Sequence, residues 1–524
     1  MRLKQRLKLI RKFIDLKVFL VPAVLVLLVI VAGVFYHKQF GQLVNATFQW
    51  SQRYFSWLYA LVTFSFIPFC VWAAWGKQGQ IRLGGKQAQP SMSMATWISI
   101  TFTSGMALGV VFYGVSEGLT NYMTPPPFTH LLPHSAAAAE TALQYVYLHW
   151  GFQAYGIYTA AGLCFAFALW NLKQKFALNS ALQPLLHEQA NGWMGQLVNW
   201  LCLYVLVASL GTNVGLGTLQ LSTGFRYMTK LAIKPLVLQI LIIAILGIIG
   251  IYAACSGIHR GIKLVSNINM SVFATLLAWA FIFGGSVFIL NNTLSSIGGY
   301  LNNFVEMGLY LEPVKQTGWV AKNTIYYWAW WTTVAPITGL FLARLARGRT
   351  IRQFVLVNLL VPVGFIFIWF GTFGSSAIFT QMHHVDIWRD LQTKGYPVAF
   401  FAYLNTLPWG NLMMILGLIA VILSFVTQYE SMIYSIAEMS VNQSELLPND
   451  HRVNYLKIFW GIAMSLMGFI LIQSGGLTTV QTSVVVLGIP ILLILVAYVV
   501  GFIRAIRRYD ETVVAIKCVD DAKK

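Results

Sequence analysis

About twelve times between residues 18 and 504 the chain produces an apolar run long enough to cross some 30 Å of hydrocarbon as a helix, and each run ends in a polar link. The runs lie near 18–36, 54–75, 95–116, 141–170, 197–224, 235–255, 266–290, 324–345, 354–376, 411–440, 455–473 and 479–504. Lipid offers the backbone no water to bond, so only helices and closed barrels span it, and continuous apolar runs of this length exclude the alternating strands of a barrel. Composition agrees: 57% of the 524 residues are hydrophobic and 10% charged, against roughly 25% charged in a soluble domain. The expected class is an all-α integral membrane protein with about twelve transmembrane helices.

The formal charge of +19 would suit a nucleic-acid partner, but its distribution does not. The cations fall in alternate links: Lys77, Arg82 and Lys86; Lys173 and Lys175; Arg260 and Lys263; Arg344, Arg347, Arg349 and Arg352; Arg504, Arg507 and Arg508. The link from Glu117 to Glu140 has none, while the fifth link is an exception, with Arg226, Lys230 and Lys234. This bias predicts a bacterial cytoplasmic membrane protein with both termini in the cytoplasm. The N-terminal segment 1–17, MRLKQRLKLIRKFIDLK, is basic and amphipathic and suits anionic lipid. The run after it is too long for a signal peptide and reads as an uncleaved first helix. Cys70, Cys164, Cys202 and Cys255 lie in apolar runs and Cys518 in the tail, with no CxxC spacing, so no disulfide and no metal cluster is expected. His130 and His134 form HLLPH without a further ligand nearby. Segment 295–312, with Leu301, Phe304, Val305 and Leu309, reads as an interfacial helix, and the prolines at 125–127 block regular structure.

A helix interrupted at membrane depth is a site candidate, because its freed backbone groups need protein or a cavity around them. The third run centres on Gly105, Ala107 and Gly109, which permit either unwinding or close helix approach. In the eighth run Pro336 and Gly339 follow an aromatic cluster and predict a second break. Trp328, close after Lys322, fits the membrane interface; Trp330 and Trp331 lie deeper. Several tryptophans beside a helix break suit a cation cage, since a quaternary ammonium has no N–H and takes aromatic faces as ligands. Trp150, Tyr155 and Tyr158 in the fourth run make a broad aromatic face, open to that reading or to ordinary packing. His149 beside them reads as a packed, hydrogen-bonded histidine.

Four segments resemble the betaine/choline/carnitine transporter (BCCT) family in order and spacing: GMALGVVFYGVSEGL (105–119), GLGTLQL (215–221), GIHRGIKLVSNINM (257–270) and YWAWWTTVAPITGLFLARLARGRTIRQF (327–354). The last is the longest and most specific. The resemblance implies a LeuT-like core of two inverted five-helix repeats, 95–290 and 324–504, after two accessory helices at 18–75. It implies alternating access and trimers held by the accessory helices with the interfacial helix. It also implies a substrate site of Trp150, Tyr155, Tyr158, Trp330 and Trp331 with Met106 and Ala107. Tyr155 stands where the family commonly has Trp, and Val334 replaces its usual third eighth-helix Trp. The solute so implied is a betaine-like quaternary ammonium compound: glycine betaine, choline or carnitine.

Sodium-coupled members resemble one another in a TSADS motif; here the segment is FVTQYESM (425–432). Thr427 is kept, Gln428 replaces the Ser and Glu430 the Asp. The ion-coupling candidates are therefore Thr103, Met106, Ser424, Thr427, Gln428 and Glu430. Na⁺ coupling leads, with H⁺ carried by Glu430 and solute exchange as alternatives. The tail 505–524 is short and mixed in charge, which argues against strong tail-based osmosensing. An enzyme is disfavoured by the lack of GxSxG, HExxH or paired membrane carboxylates, and a channel by the lack of a repeated pore module. A transport-dead solute sensor would share every feature above.

Overall fold

The computed structural model describes residues 13–105, 108–256, 259–383, 385–442 and 451–509, without the side chains of 102–105 and 259–264. Met106, Ala107 and the Thr103 side chain thus lie outside the described residues, as do most of the basic N-terminal segment and the tail from residue 510.

The long helices are α1 (Leu16–Phe35), α2 (His37–Trp75), α3 (Met94–Gly105), α4 (Leu108–Met123), α5 (Ala136–Trp150), α6 (Phe152–Trp170), α7 (Trp193–Thr229), α8 (Pro235–Ser256), α9 (His259–Phe283), α10 (Ser286–Asn302), α11 (Tyr326–Leu345), α12 (Ile351–Met382), α13 (Gly410–Met439) and α14 (Asn454–Arg507). Among the described residues there is no strand beyond two isolated bridges, and nine helices are long and apolar enough to cross a membrane.

Burial sorts the helices. The α5–α6 span is 83% buried and α7 72%, whereas α1 is 28% and α8 33% buried, so α5–α7 form the centre and α1 and α8 the rim. The rim exposes Leu20, Leu28, Val31 and Val34 on α1 and Ile245, Ile248 and Tyr252 on α8, apolar patches that suit lipid or another apolar surface. Helix α11 is buried on every side from Tyr326 to Leu340, which requires it to run through the protein interior.

Basic links gather on one face. Arg344 pairs with Glu438 at the end of α13 at 3.5 Å, Arg82 donates to the Gly348 carbonyl at 2.8 Å, and Asn171 donates to the Tyr509 hydroxyl at 2.9 Å. Phe13 to Asp15 dock there too, through Asp15 N–H to Ser440 O at 3.1 Å and Asn442 N–H to Phe13 O at 2.9 Å.

Several expected boundaries move. Helix α2 begins at His37, well before 54, because its polar first half continues the helix beyond the apolar run. The fourth span is two helices meeting at Gly151 (φ −89°, ψ −127°), where a Cβ would come within 2.4 Å of the Tyr147 carbonyl. The seventh span ends at Phe283, not 290; Gly285, in the left-handed region, starts α10, and the helix foreseen at 295–312 is α10 plus the short Phe304–Leu309. Residues 455–473 and 479–504 are two arms of α14, bent at Gly475 and Gly476.

The eighth helix is not interrupted at Pro336 or Gly339; α11 runs through both. Thr332 Oγ1 donates to Trp328 O and Thr333 Oγ1 to Trp330 O, each at 2.7 Å, in the turns before the proline. Gly339 serves contact instead: a Cβ there would lie 2.8 Å from the Gly162 nitrogen, so α6 and α11 cross backbone to backbone. The irregularity precedes the helix, as a π-helical turn at Ala321–Ile325. In the third span Gly109 lies inside α4, and Gly105 is the last residue described in α3.

Candidate functional site

Two helix ends and one helix middle converge in the protein centre. Trp150 is the last residue of α5, Tyr155 and Tyr158 occupy the first turns of α6, and Trp330 and Trp331 come from α11. The Gly151 turn resets the helix between Trp150 and the two tyrosines, so their relation is not that of one ideal wheel. Trp331 is the hub. Its ring lies 5.5 Å from Trp150, 5.3 Å from Tyr155 and 4.9 Å from Tyr158, at steep interplanar angles of 54° to 83°. Trp330 stands 6.0 Å from Trp150 at 83° and 6.2 Å from Tyr113. Val334, one turn on in α11, is buried and lowers the aromatic count there.

Gly109 of α4 fits between the two tryptophans. A Cβ on it would come within 2.7 Å of both Trp150 Cη2 and Trp330 Cη2. Both contacts are ring atoms of buried side chains, so neither yields easily. Gly109→Ala is expected to spread the two rings and weaken solute binding about tenfold without loss of folded protein, the cost of overpacking by one methyl. A binding isotherm on the purified variant measures it; unchanged affinity would place the rings outside the site.

Behind the rings is a carboxylate that sequence reading had assigned to a link. Helix α4 continues to Met123, so Glu117 sits inside it and is 5% exposed. Its Oε2 accepts the Trp150 indole N–H at 2.7 Å and its Oε1 meets His149 Nδ1 at 2.6 Å. His149 Nε2 meets Thr324 Oγ1, in the π-helical turn, at 2.9 Å, and the imidazole stacks on Tyr327 at 4.7 Å and 19°. The expected packed, hydrogen-bonded role of His149 is what the geometry shows. The Trp150 indole N–H donates to this group, and an ionised carboxylate there, which only accepts, would make that bond charge-assisted. Polarisation through that N–H enriches the indole face in negative charge, which is what a cation on the face feels.

Polar groups around the rings are otherwise mostly spoken for. Tyr113 OH lies 3.1 Å from Tyr326 OH and accepts from Gln481 Nε2 at 2.7 Å. Trp328 is not at an interface; it is 1% exposed and its indole points at the Leu148 carbonyl, 3.4 Å away. The Trp331 indole nitrogen is buried and makes no hydrogen bond to any described residue, so that N–H is available to an oxygen of a ligand or water.

The ion-motif residues lie on α13. Ser424 Oγ accepts from Asn269 Nδ2 of α9 at 3.0 Å, and Thr427 Oγ1 donates to its own helix at Leu423 O, 2.7 Å, keeping its lone pairs free. Gln428 is half-buried and Glu430 is 7% exposed, on the stretch that packs α13 against α14 through Tyr429 and Ser465, 2.6 Å apart. The Thr103 side chain and Met106, expected to complete an ion site, lie outside the described residues.

Sequence reading found the five rings and missed Glu117, Tyr113, Tyr327 and Thr324. A carboxylate retained in a helical, otherwise apolar segment was the available signal.

The family model of the betaine/carnitine/choline family transporters (BCCT) matches residues 17–511. A probable glycine betaine transporter of Desulfitobacterium hafniense is 31% identical over 493 residues, covering 94% of this chain and 97% of its own length. An ectoine/hydroxyectoine transporter of Virgibacillus pantothenticus is 30% identical with the same coverage, 94% and 97%. An osmo-independent choline transporter of Acinetobacter baylyi is 31% identical over 87% of this chain and 86% of its own.

Proposed function

This chain belongs to the betaine/carnitine/choline transporter family, and from that premise we propose that it carries a small quaternary ammonium or similar delocalised-cation solute across the membrane by alternating access. Members of the family are multi-pass membrane transporters, not enzymes. The observation that carries the solute class is the convergence of Trp150, Tyr155, Tyr158, Trp330 and Trp331 in front of a buried carboxylate. Aromatic faces attract an onium group that cannot donate a hydrogen bond, and the Trp331 N–H suits the oxygen such solutes often carry. The names of the relatives, transporters of glycine betaine, of ectoine and of choline, suit the same chemistry.

The architecture we infer has about twelve spans. Pairing α3 with α4 and α5 with α6, and dividing α14 at Gly475, matches every apolar run to a helix. On this reading 18–75 are accessory helices, 95–290 and 324–504 inverted repeats, and α1, α2 and α10 the contact of a homotrimer. The basic face that receives Phe13 and Tyr509 is the cytoplasmic one, of a bacterial inner membrane.

For coupling, Na⁺ leads: Thr427 and Ser424 offer hydroxyl oxygens on α13. Gln428 favours a second reading, exchange without an ion, because its amide NH₂ can stand where a cation would. Glu430 as a proton carrier is the third. The test is uptake of labelled glycine betaine, choline and carnitine into proteoliposomes under Na⁺, H⁺ or counter-solute gradients. Saturable uptake of an onium solute driven by Na⁺ is expected, with Thr427→Ala raising the Na⁺ concentration needed about tenfold, the worth of one lost oxygen ligand. No movement of any onium solute under any gradient, with the solute still bound, would leave a sensor; no binding either would end the reading.

A further inference from the structure

The charge pattern leaves one exception, the cations of the link between α7 and α8. Two of them, Arg226 and Lys230, line a cavity of about 1180 Å³ where α7 ends and α13 begins. Lys394, from the helix Ile387–Lys394, and Asn405 and Asn411 complete its polar wall. Helix α13 starts at this cavity and ends at Met439, beside the docked Phe13–Asp15 segment. At 30 residues it spans about 45 Å, so the cavity lies on the membrane face opposite the basic N-terminal segment.

The lining holds three cations and no carboxylate. Lys394 is compensated: it pairs with Asp390 and rests 4.7 Å over the Tyr227 ring, whose hydroxyl donates to Asp390 Oδ2 at 3.0 Å. Arg226 and Lys230 pair with no described carboxylate. The start of α13 adds to the same field, since no side chain caps its first N–H groups and Asn411 lines the cavity. One cation would suffice to offset the dipole at the end of α7. Two exposed cations without a described carboxylate, lining the cavity with an uncapped helix N-terminus, make a place for an anion.

We propose that this cavity is an outer subsite for the carboxylate of a zwitterionic solute, an assignment that rests on the transporter reading above. Arg226 offers a fork of donors matched to a carboxylate, and Lys230 a second positive charge. A betaine docks there by its carboxylate. A simple cation such as choline finds nothing to hold and is repelled. The aromatic rings attract both kinds of solute, so the cavity does the sorting that the rings do not.

The test compares the wild type with the double variant Arg226→Gln, Lys230→Gln, reconstituted in phosphatidylcholine liposomes, for uptake of glycine betaine and of choline. The KM for glycine betaine is expected to rise about five- to tenfold, the scale of two solvent-accessible ion pairs, with kcat unchanged and the KM for choline unchanged or lower. Arg226→Glu should shift the preference further toward choline, and stands in if the double variant fails to insert. Equal changes for both solutes, or none, overturn the proposal. So does an effect confined to liposomes containing phosphatidylglycerol, which would assign the cavity to a lipid phosphate. A wild type that carries choline but no zwitterion overturns the subsite alone; one that moves neither overturns the transporter reading with it.

Discussion

Glu117→Gln is expected to weaken onium binding about thirtyfold while leaving the protein folded. The substitution is close to a pure charge deletion. Its amide oxygen can accept the Trp150 N–H now bonded at 2.7 Å, and its NH₂ can donate to His149 Nδ1, which becomes an acceptor by a tautomer shift. His149 Nε2 then donates to Thr324 Oγ1, 2.9 Å away, so no buried group is stranded. What disappears is the negative charge. An onium on the face of Trp150 sits on the order of 7 Å from that carboxylate, where unit charges at an effective dielectric near 20 interact by about 2 kcal/mol. Titration of purified protein with a labelled onium solute gives the number, and thermal unfolding gives the control. Affinity within twofold of wild type would show that the charge is neutralised in place by a protonated His149, and would reduce Glu117 to a scaffold. Glu117→Ala is a different experiment: it strands two buried donors and should cost about 3–5 kcal/mol of stability.

Trp331→Leu should cost about 2 kcal/mol of onium affinity, again near thirtyfold, by removing the ring that touches three of the other four. Leu keeps much of the buried apolar area but has no negative face. Trp331→Phe keeps a weaker face and should recover part of the loss. That order, Trp above Phe above Leu, separates cation–π attraction from simple packing, under which Phe and Leu would fall together. Equal affinity in all three would remove Trp331 from the site.

The positions of the long helices were legible because lipid demands long apolar segments, and most described residues of each such run are helical. What hydropathy could not show is where a helix outlasts its apolar run. The polar stretch from His37 continues α2, and α4 carries Glu117 past the point where a carboxylate seemed to end it. The five rings were readable from residue type and depth. Their carboxylate was not, since its partners lie 32 and 33 positions away, beyond any local period. The break expected in the eighth span was misplaced for a related reason. A proline advertises a kink, but α11 runs through Pro336, whereas Gly151 turns the chain with a residue type that elsewhere merely packs.

The crossing of α6 and α11 at Gly162 and Gly339 has a mechanical meaning. There the two backbones approach too closely for a Cβ on Gly339, while Tyr155 and Tyr158 pack against Trp331 across the same pair of helices. Trp331 lies eight residues from Gly339 and Tyr158 four from Gly162, arms of about 12 and 6 Å at 1.5 Å per residue. A turn of about 10° at that fulcrum swings Trp331 through about 2 Å, enough to part rings now 4.9 Å apart into a gap that admits a methyl group. A tilt about this pair of glycines would act through unequal levers, a small movement of one helix opening or closing an aromatic jaw.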